Sequence, residues 1–477
     1  MVANLAIYTI VHQPRRLKLP AQPIPRGASI EDIARCVFDE PLNERYFRKV
    51  AASCYYPTTR LFLQLVREQG LRLSIGLSLS FARQAQSWEP ALLDLFRELI
   101  AEENVELIGV EPYHSFLFLL DLPAFVLRMQ LMGDEMERIF GKRPAVTDTT
   151  EMGMSATIYN ALDTAGFRGA LLDGRQWVME WRAPTYLYRY SDEDPLPLPL
   201  PVKRAQFTPR SKRSPQKLLL DNDRESGPYL LARHTQLSDD VGFRFSNTNW
   251  SQYPLYADTY ARWIAQTPGD VVLLGWDYET FGEHHHRDTG IFDFLHSLPA
   301  ALEQQGITTC TASDIIDRVT LSGSAHHLPL PIFPTTWAGA GSLDFFTGNS
   351  AQQTILQLMG YVYGQAKLTE NPDLVDIALW LAQSDNLHLI QWFGRGGSEA
   401  AVSAHFTPRE WWELGGERII HEQQQVYVNA LHAMEPYLPA RLIRRSRIHN
   451  PIKPNRRYRR SGENHVAAQL IAPVMER

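Results

Sequence analysis

Residues 275–286 read GWDYETFGEHHH. Asp277 and Glu279 stand two positions apart beside aromatic residues, and three histidines follow them. Other polar residues close short apolar runs in the same way. His12 follows LAIYTIV, Glu111 and His114 follow VELIGV, Glu151 follows AVTDTT, and Ser246 and Asn247 end GFRFSN. Two chemistries suit such a set. A pair of carboxylates can cleave a glycosidic bond, one as nucleophile and one as acid/base. Histidine and aspartate at strand ends can instead hold a metal that activates water, as in barrel deacetylases. The triplet His284–His285–His286 is expected to be a loop or helix start, because adjacent residues rarely point at one ion.

The elements that must position these groups alternate. Apolar and β-branched runs (LAIYTIVH, LRLSIGLSLS, VELIGV, RGALLDG, GFRFSN, DVVLLGW) are separated by stretches of helical periodicity such as EPALLDLFRELIAEEN and LPAFVLRMQLMGDEMERIFG. Strand and helix in alternation give a parallel sheet with right-handed crossovers, and about seven units suit a barrel better than a small open sheet. In such a barrel, reactive groups gather where the strands end. The α/β part is expected over 1–320, interrupted at about 191–228 by a proline- and charge-rich excursion. From 335 to 437 the pattern turns helical, with Thr407-Pro408-Arg409-Glu410 read as a capping box opening a helix that runs to Met434. Residues 438–477, strongly basic and unpatterned, are expected to be a disordered tail.

A net charge of −6 argues against a nucleic-acid binder, and 44% hydrophobic residues is a globular composition. Three cysteines without paired spacing (Cys36, Cys54, Cys310) point to a reducing, cytoplasmic setting. No apolar run is long enough for a membrane span. The 11 tryptophans offer flat apolar faces on which sugar rings stack, and Trp177, Trp250, Trp276 and Trp392 are candidate platforms. Oligomeric state is not legible.

VHQP, VELIGVEPYHS, TDTTEMGMS, WDYETFGEHH and SDNLHLIQWF stand in the order of the five sequence regions of glycoside hydrolase family 57. The chain resembles that family's α-amylase-type branch over about residues 5–435. The resemblance implies an incomplete (β/α)7 barrel followed by a helical bundle that completes the cleft. It also implies retaining cleavage of α-1,4-glucosidic bonds in an α-glucan or maltooligosaccharide, without metal or other cofactor. Glu151 falls at the nucleophile and Asp277 at the general acid/base. His12 and His114 match sugar-contacting positions, Glu279 a carboxylate near the acid/base, and Asp385 the acidic residue contributed by the helical region. The chain departs from the family at Asn386, where histidine is more usual, and in AGAGSLDFF after Trp337, where relatives carry more charge.

A 4-α-glucanotransferase or branching activity would pass through the same covalent intermediate. The rivals from other classes are a non-catalytic glucan-binding protein and a metal-dependent polysaccharide deacetylase.

Overall fold

Ten strands among the described residues carry the fold: β1 (Asn4–Val11), β2 (Leu73–Leu77), β3 (Val105–Ile108), β4 (Val146–Thr147), β5 (Gly169–Asp173), β6 (Leu187–Tyr190), β7 (Tyr229–Arg233), β8 (Val271–Asp277), β9 (Thr308–Cys310) and β10 (His326–Leu328). The computed structural model describes residues 4–191, 227–322 and 325–440. The 191–228 excursion and the 438–477 tail therefore lie, but for their margins, outside the described residues. The compact unit that ends at Pro436 is the one described below.

Strands β1, β2, β3, β4, β5, β7 and β8 run parallel and close into a ring. Two seams are narrow. β3 meets β4 through Gly109 and Thr147, and β7 meets β8 through Arg233 and Leu273. β6 pairs antiparallel with β7, β10 adds to β6, and β9 pairs with the start of β1. This is a (β/α)7 barrel with helices outside it.

Parallel strands covered on both faces read as continuous apolar runs, and β1 is buried from Leu5 to Val11. Its alternate residues Ala6, Tyr8 and Ile10 point into the ring, where they meet Ile108, Val146, Leu171, Leu231 and Leu273. Gly76 on the neighbouring strand makes room for Tyr8, since a Cβ there would come within 2.7 Å of the tyrosine oxygen. The Tyr8 hydroxyl donates to Asp148 at 2.8 Å, deep under the mouth of the barrel.

The strand expected in GFRFSN does not form. Helix Thr235–Gly242 runs into it, and Phe243–Asn247 turn instead. Arg244 pairs back to Asp240 one turn earlier, and His285 bonds both Ser246 and the Val241 carbonyl, which fastens a turn. The ring strand between β5 and β8 is β7, whose YLLAR run directly follows the excursion.

After β10 the chain is helical. Ser350–Leu368 packs against Pro372–Leu381 and Gly416–Met434. The first opens with a reciprocal capping box between Asn349 and Gln352. The expected box at Thr407 is absent, because the Thr407 hydroxyl bonds the carbonyls of Leu389 and Ser403. The long helix expected from there is split between Arg409–Trp412 and Gly416–Met434 at Gly415, whose φ of 91° only glycine adopts cheaply. No helix among the described residues is long and apolar enough to cross a membrane.

Candidate active site

Each motif delivers its polar side chain by a local device. In EPYHS, the Glu111 carboxylate accepts the backbone N–H groups of Tyr113 (3.1 Å) and Ser115 (2.5 Å). That curls the chain and leaves His114 at φ 55°, a left-handed conformation uncommon for a residue with a side chain. In TDTTEMGMS, Glu151 and Met152 both take left-handed φ values, 58° and 50°. Thr149 holds this turn through the Gly153 carbonyl (2.5 Å) and Thr150 through the Ser115 carbonyl (2.6 Å). Strained backbone of this kind persists where the surroundings over-determine it, as at functional sites. Asp277 is the last residue of β8 and pairs in register with Ile10 of β1. The chain then turns into the 3-10 segment Tyr278–Thr280, which carries Glu279.

The helical region reaches the same place by a backbone clip. Ser384 N–H bonds the His114 carbonyl (2.9 Å), Phe116 N–H bonds the Ala382 carbonyl (3.2 Å), and the Gln383 amide oxygen takes Arg15 N–H (2.8 Å). Asp385 and His388 then share one face of a four-residue helix, three positions apart.

Around this mouth His12 Nε2 lies 3.0 Å from Asp385 Oδ2 and its Nδ1 2.8 Å from the Ser78 hydroxyl. His114 stacks on His12, with ring centres 4.5 Å apart, and its Nδ1 meets the Ser384 hydroxyl at 2.9 Å. The buried Nε2 of His114 has no hydrogen-bond partner among the described residues. Trp337 donates its indole N–H to Glu151 Oε2 at 2.8 Å. Behind that ring, Arg175 binds the Trp337 carbonyl and Asp173, while buried Arg233 binds Asp173, Asp239 and the Gly275 carbonyl.

So many carboxylates in one dry space cannot all be ionised. Burial pushes Glu151 up to about 8, opposed by the Trp337 hydrogen bond and raised further by Asp385 and Asp277. Burial likewise lifts Asp277 to about 6, with Arg233 and His388 pulling it back down. Glu279 rises to about 8 through burial and the charge of Asp277, and it accepts the Tyr55 hydroxyl. Asp385 is the exception. Burial would raise it too, but His12, His114 and His388 hold it well below the usual carboxylate range. An ionised Asp385 accepts from His12 Nε2–H. Burial and the neighbouring His12 drive His114 down to about 3, so it is a neutral hydrogen-bonding ring.

His12, His114 and Asp385 are the one set among the described residues whose ligand atoms lie within metal-binding reach, all within 4.8 Å of one another. Stacked rings whose planes differ by 25° send their in-plane lone pairs side by side. An ion about 2.0–2.1 Å from one nitrogen would lie off the plane of the other ring. Both nitrogens of His12 are also engaged. Hydrogen bonds to Ser78, Ser384 and one another join these side chains in a network.

Of the expected platforms, Trp177 is half exposed and donates to the Ala340 carbonyl at 3.0 Å, in the loop that holds Trp337. Trp250 packs edge-on against Trp263. Trp392 packs against Trp412 and donates to the Leu389 carbonyl. Trp276 needs correcting as a sugar contact. It is 2% exposed and donates to the Ser238 carbonyl on the outer side of β8, since alternation turns it away from the face that Asp277 shares. Tyr278 is likewise buried, among Phe62, Phe96 and Tyr55. Within the histidine triplet, His285 is tied to Ser246 and the Val241 carbonyl, His284 packs near Phe406, and His286 is exposed. Sequence reasoning missed Trp337, Ser384, His388 and Arg233. Only His388 had a signal, its helical spacing from Asp385.

Residues 6–325 match the model of "Glycosyl hydrolase family 57". A protein of Methanocaldococcus jannaschii named "Putative alpha-amylase" is 33% identical over 318 residues, 66% of this chain. The chain spans about 60% of the length of that relative. Among solved structures, the fold resembles a 4-alpha-glucanotransferase from Thermococcus litoralis (13% identity, TM-score 0.57, 85% of this chain and 60% of that one). It also resembles a GH57-type branching enzyme from Pyrococcus horikoshii (15% identity, TM-score 0.56, 92% and 97%). A third likeness is an alpha-amylase from Thermotoga maritima (12% identity, TM-score 0.50, 91% and 98%).

Proposed function

The chain belongs to glycosyl hydrolase family 57, and on that premise we propose that it cleaves α-1,4-glucosidic bonds of an α-glucan with retention, as an α-amylase does. Glu151 attacks the anomeric carbon while Asp277 protonates the leaving oxygen. Water, deprotonated by Asp277, then releases the sugar from Glu151. No step needs a metal. The observation that carries this reading is the placement of Glu151, steadied by an indole donor, in the field of Asp277 from another strand end.

Proton bookkeeping needs one further step. In the free cleft Glu151 sits near 8 and Asp277 near 6, so the shared proton favours Glu151. The reacting form has it on Asp277. Carboxylates that feel one another's charge titrate as a unit, and the reactive arrangement is a minor tautomer of the singly protonated pair. Such a difference corresponds to a few kcal/mol. Positive charge developing at the anomeric carbon beside Glu151 favours its ionised form, so this difference shrinks as the reaction proceeds.

His114 offers its unpartnered Nε2 to a sugar hydroxyl, and Asp385, oriented by His12, accepts from another. The helical segment 335–437 thereby completes the cleft. The test is product analysis on amylose and maltooligosaccharides with the anomeric configuration followed by NMR. Early α-configured reducing sugars support the reading. β-configured sugars overturn retention, and longer oligosaccharides in place of free sugar reassign the acceptor as a second glucan.

A further inference from the structure

A groove of about 640 Å³ runs along the outer face of helix Ile291–Gln304, walled on the other side by Tyr253–Tyr256 and the start of helix Ala257–Gln266. Its lining extends from Thr289 to Gln304, about 22 Å at the helical rise of ~1.5 Å per residue. None of His12, His114, Glu151, Asp277 or Asp385 lines it. We propose that this groove is a second carbohydrate site, which holds several consecutive neutral sugar rings of a polymeric glucan while the cleft acts on the chain. The proposal rests on the α-glucan reading above.

Two kinds of group define the ligand. Tyr253 and Tyr256 are 43% and 62% exposed, and neither ring stacks on another residue nor does either hydroxyl have a hydrogen-bond partner among the described residues. Such rings offer a flat apolar face with a polar tip, which matches the C–H face and hydroxyl rim of a pyranose. Between the aromatic wall and the helix stand two carboxylates. Among the described residues, Asp293 has no cation beside it, and Asp258 has only Arg262 one turn along its own helix, at 3.3 Å. Carboxylates accept two hydroxyl donors at once, as a sugar diol presents them. Gln304 and His296 extend the polar strip along the helix. Among the described residues no lysine or arginine lines the groove, so its carboxylates disfavour a phosphorylated or acidic ligand. A neutral, hydroxyl-rich chain fits both walls.

The test compares the full-length wild type with the Tyr253→Ala/Tyr256→Ala double variant on soluble amylose and on a short activated maltooligosaccharide. Loss of both platforms should raise KM for amylose about tenfold and abolish retardation in an amylose-containing native gel. Kinetics on the short substrate should not change. Tyr253→Trp/Tyr256→Trp, which keeps the stacking faces, should restore both readouts. If the alanine pair unfolds, as circular dichroism would reveal, Asp293→Ser is read in the same assays with the same expectation. Equal effects on polymer and short substrate, or no effect on either, would overturn the groove assignment and leave the cleft reading standing. A wild type that neither cleaves nor binds α-glucan would overturn the substrate reading itself.

Discussion

Trp337 holds Glu151 twice: its indole N–H donates to Oε2 at 2.8 Å and its backbone N–H to the Glu151 carbonyl at 3.0 Å. The first bond favours the ionised carboxylate and the second pins a left-handed backbone. Trp337→Phe removes only the first. Glu151 then rises further in pKa, and its share of the reactive tautomer falls. A hydrogen bond to a charged group contributes about 1.5–3 kcal/mol, so kcat should drop roughly 10- to 100-fold while the thermal transition barely moves. An unchanged kcat would show that the indole does not steady the nucleophile.

Asp277→Asn keeps the shape and removes the proton. With a sugar leaving group the rate should fall by about 10²–10⁴-fold, and with an activated phenol the first step should suffer far less. Azide should rescue this variant to a product of retained configuration, and should give an inverted product with Glu151→Ala. The opposite pairing of configurations would exchange the two roles.

The pH profile follows from the shared proton. Asp277, raised to about 6, must lose its proton before the pair carries one negative charge, and Glu151, raised to about 8, must not yet have lost its own. Below the first value both are neutral and no nucleophile exists; above the second no acid exists. kcat/KM should therefore be bell-shaped with limbs near these values. A profile flat from pH 5 to 9, about one unit beyond each limb, would contradict the coupled pair.

Dialysis against a strong chelator should leave activity intact, because the double displacement needs only the two carboxylates and both His12 nitrogens already have hydrogen-bond partners. Loss of activity that zinc restores would move the mechanism toward metal-activated water.

A chain cut near residue 334 loses Ser384, whose N–H and hydroxyl hold the His114 loop, along with Trp337 and Asp385. It should be inactive or insoluble. Within the full chain, Asp385→Ala should leave His12 Nε2 without its acceptor, lowering kcat/KM at least tenfold at a stability cost of about 1–3 kcal/mol. Full activity in the truncated chain would make the helical region dispensable.

Strand periodicity, read without any structure, was enough to place Asp277 at a strand end. It missed β7, because YLLAR emerges straight from a charged, proline-rich stretch and its neighbour GFRFSN carries the stronger β pattern. GFRFSN is a turn because Asp240 and His285 claim its polar groups, and those contacts are invisible to a local window.

Periodicity, turn chemistry and motif order are properties of neighbours in the chain, and the sequence alone thus determined the barrel class and the identity of Glu151, Asp277, His12, His114 and Asp385 as candidates. What sets their protonation is not local. Glu151 and Trp337 are 186 positions apart, and His12 and Asp385 are 373 apart. Burial, the largest influence on every carboxylate in the cleft, exists only once the ring has closed and the helical segment has clipped onto it. Only the tertiary structure could therefore decide that Asp385 is held low while Glu151 and Asp277 are both raised, since desolvation depends on everything packed around a group and on nothing in its immediate sequence.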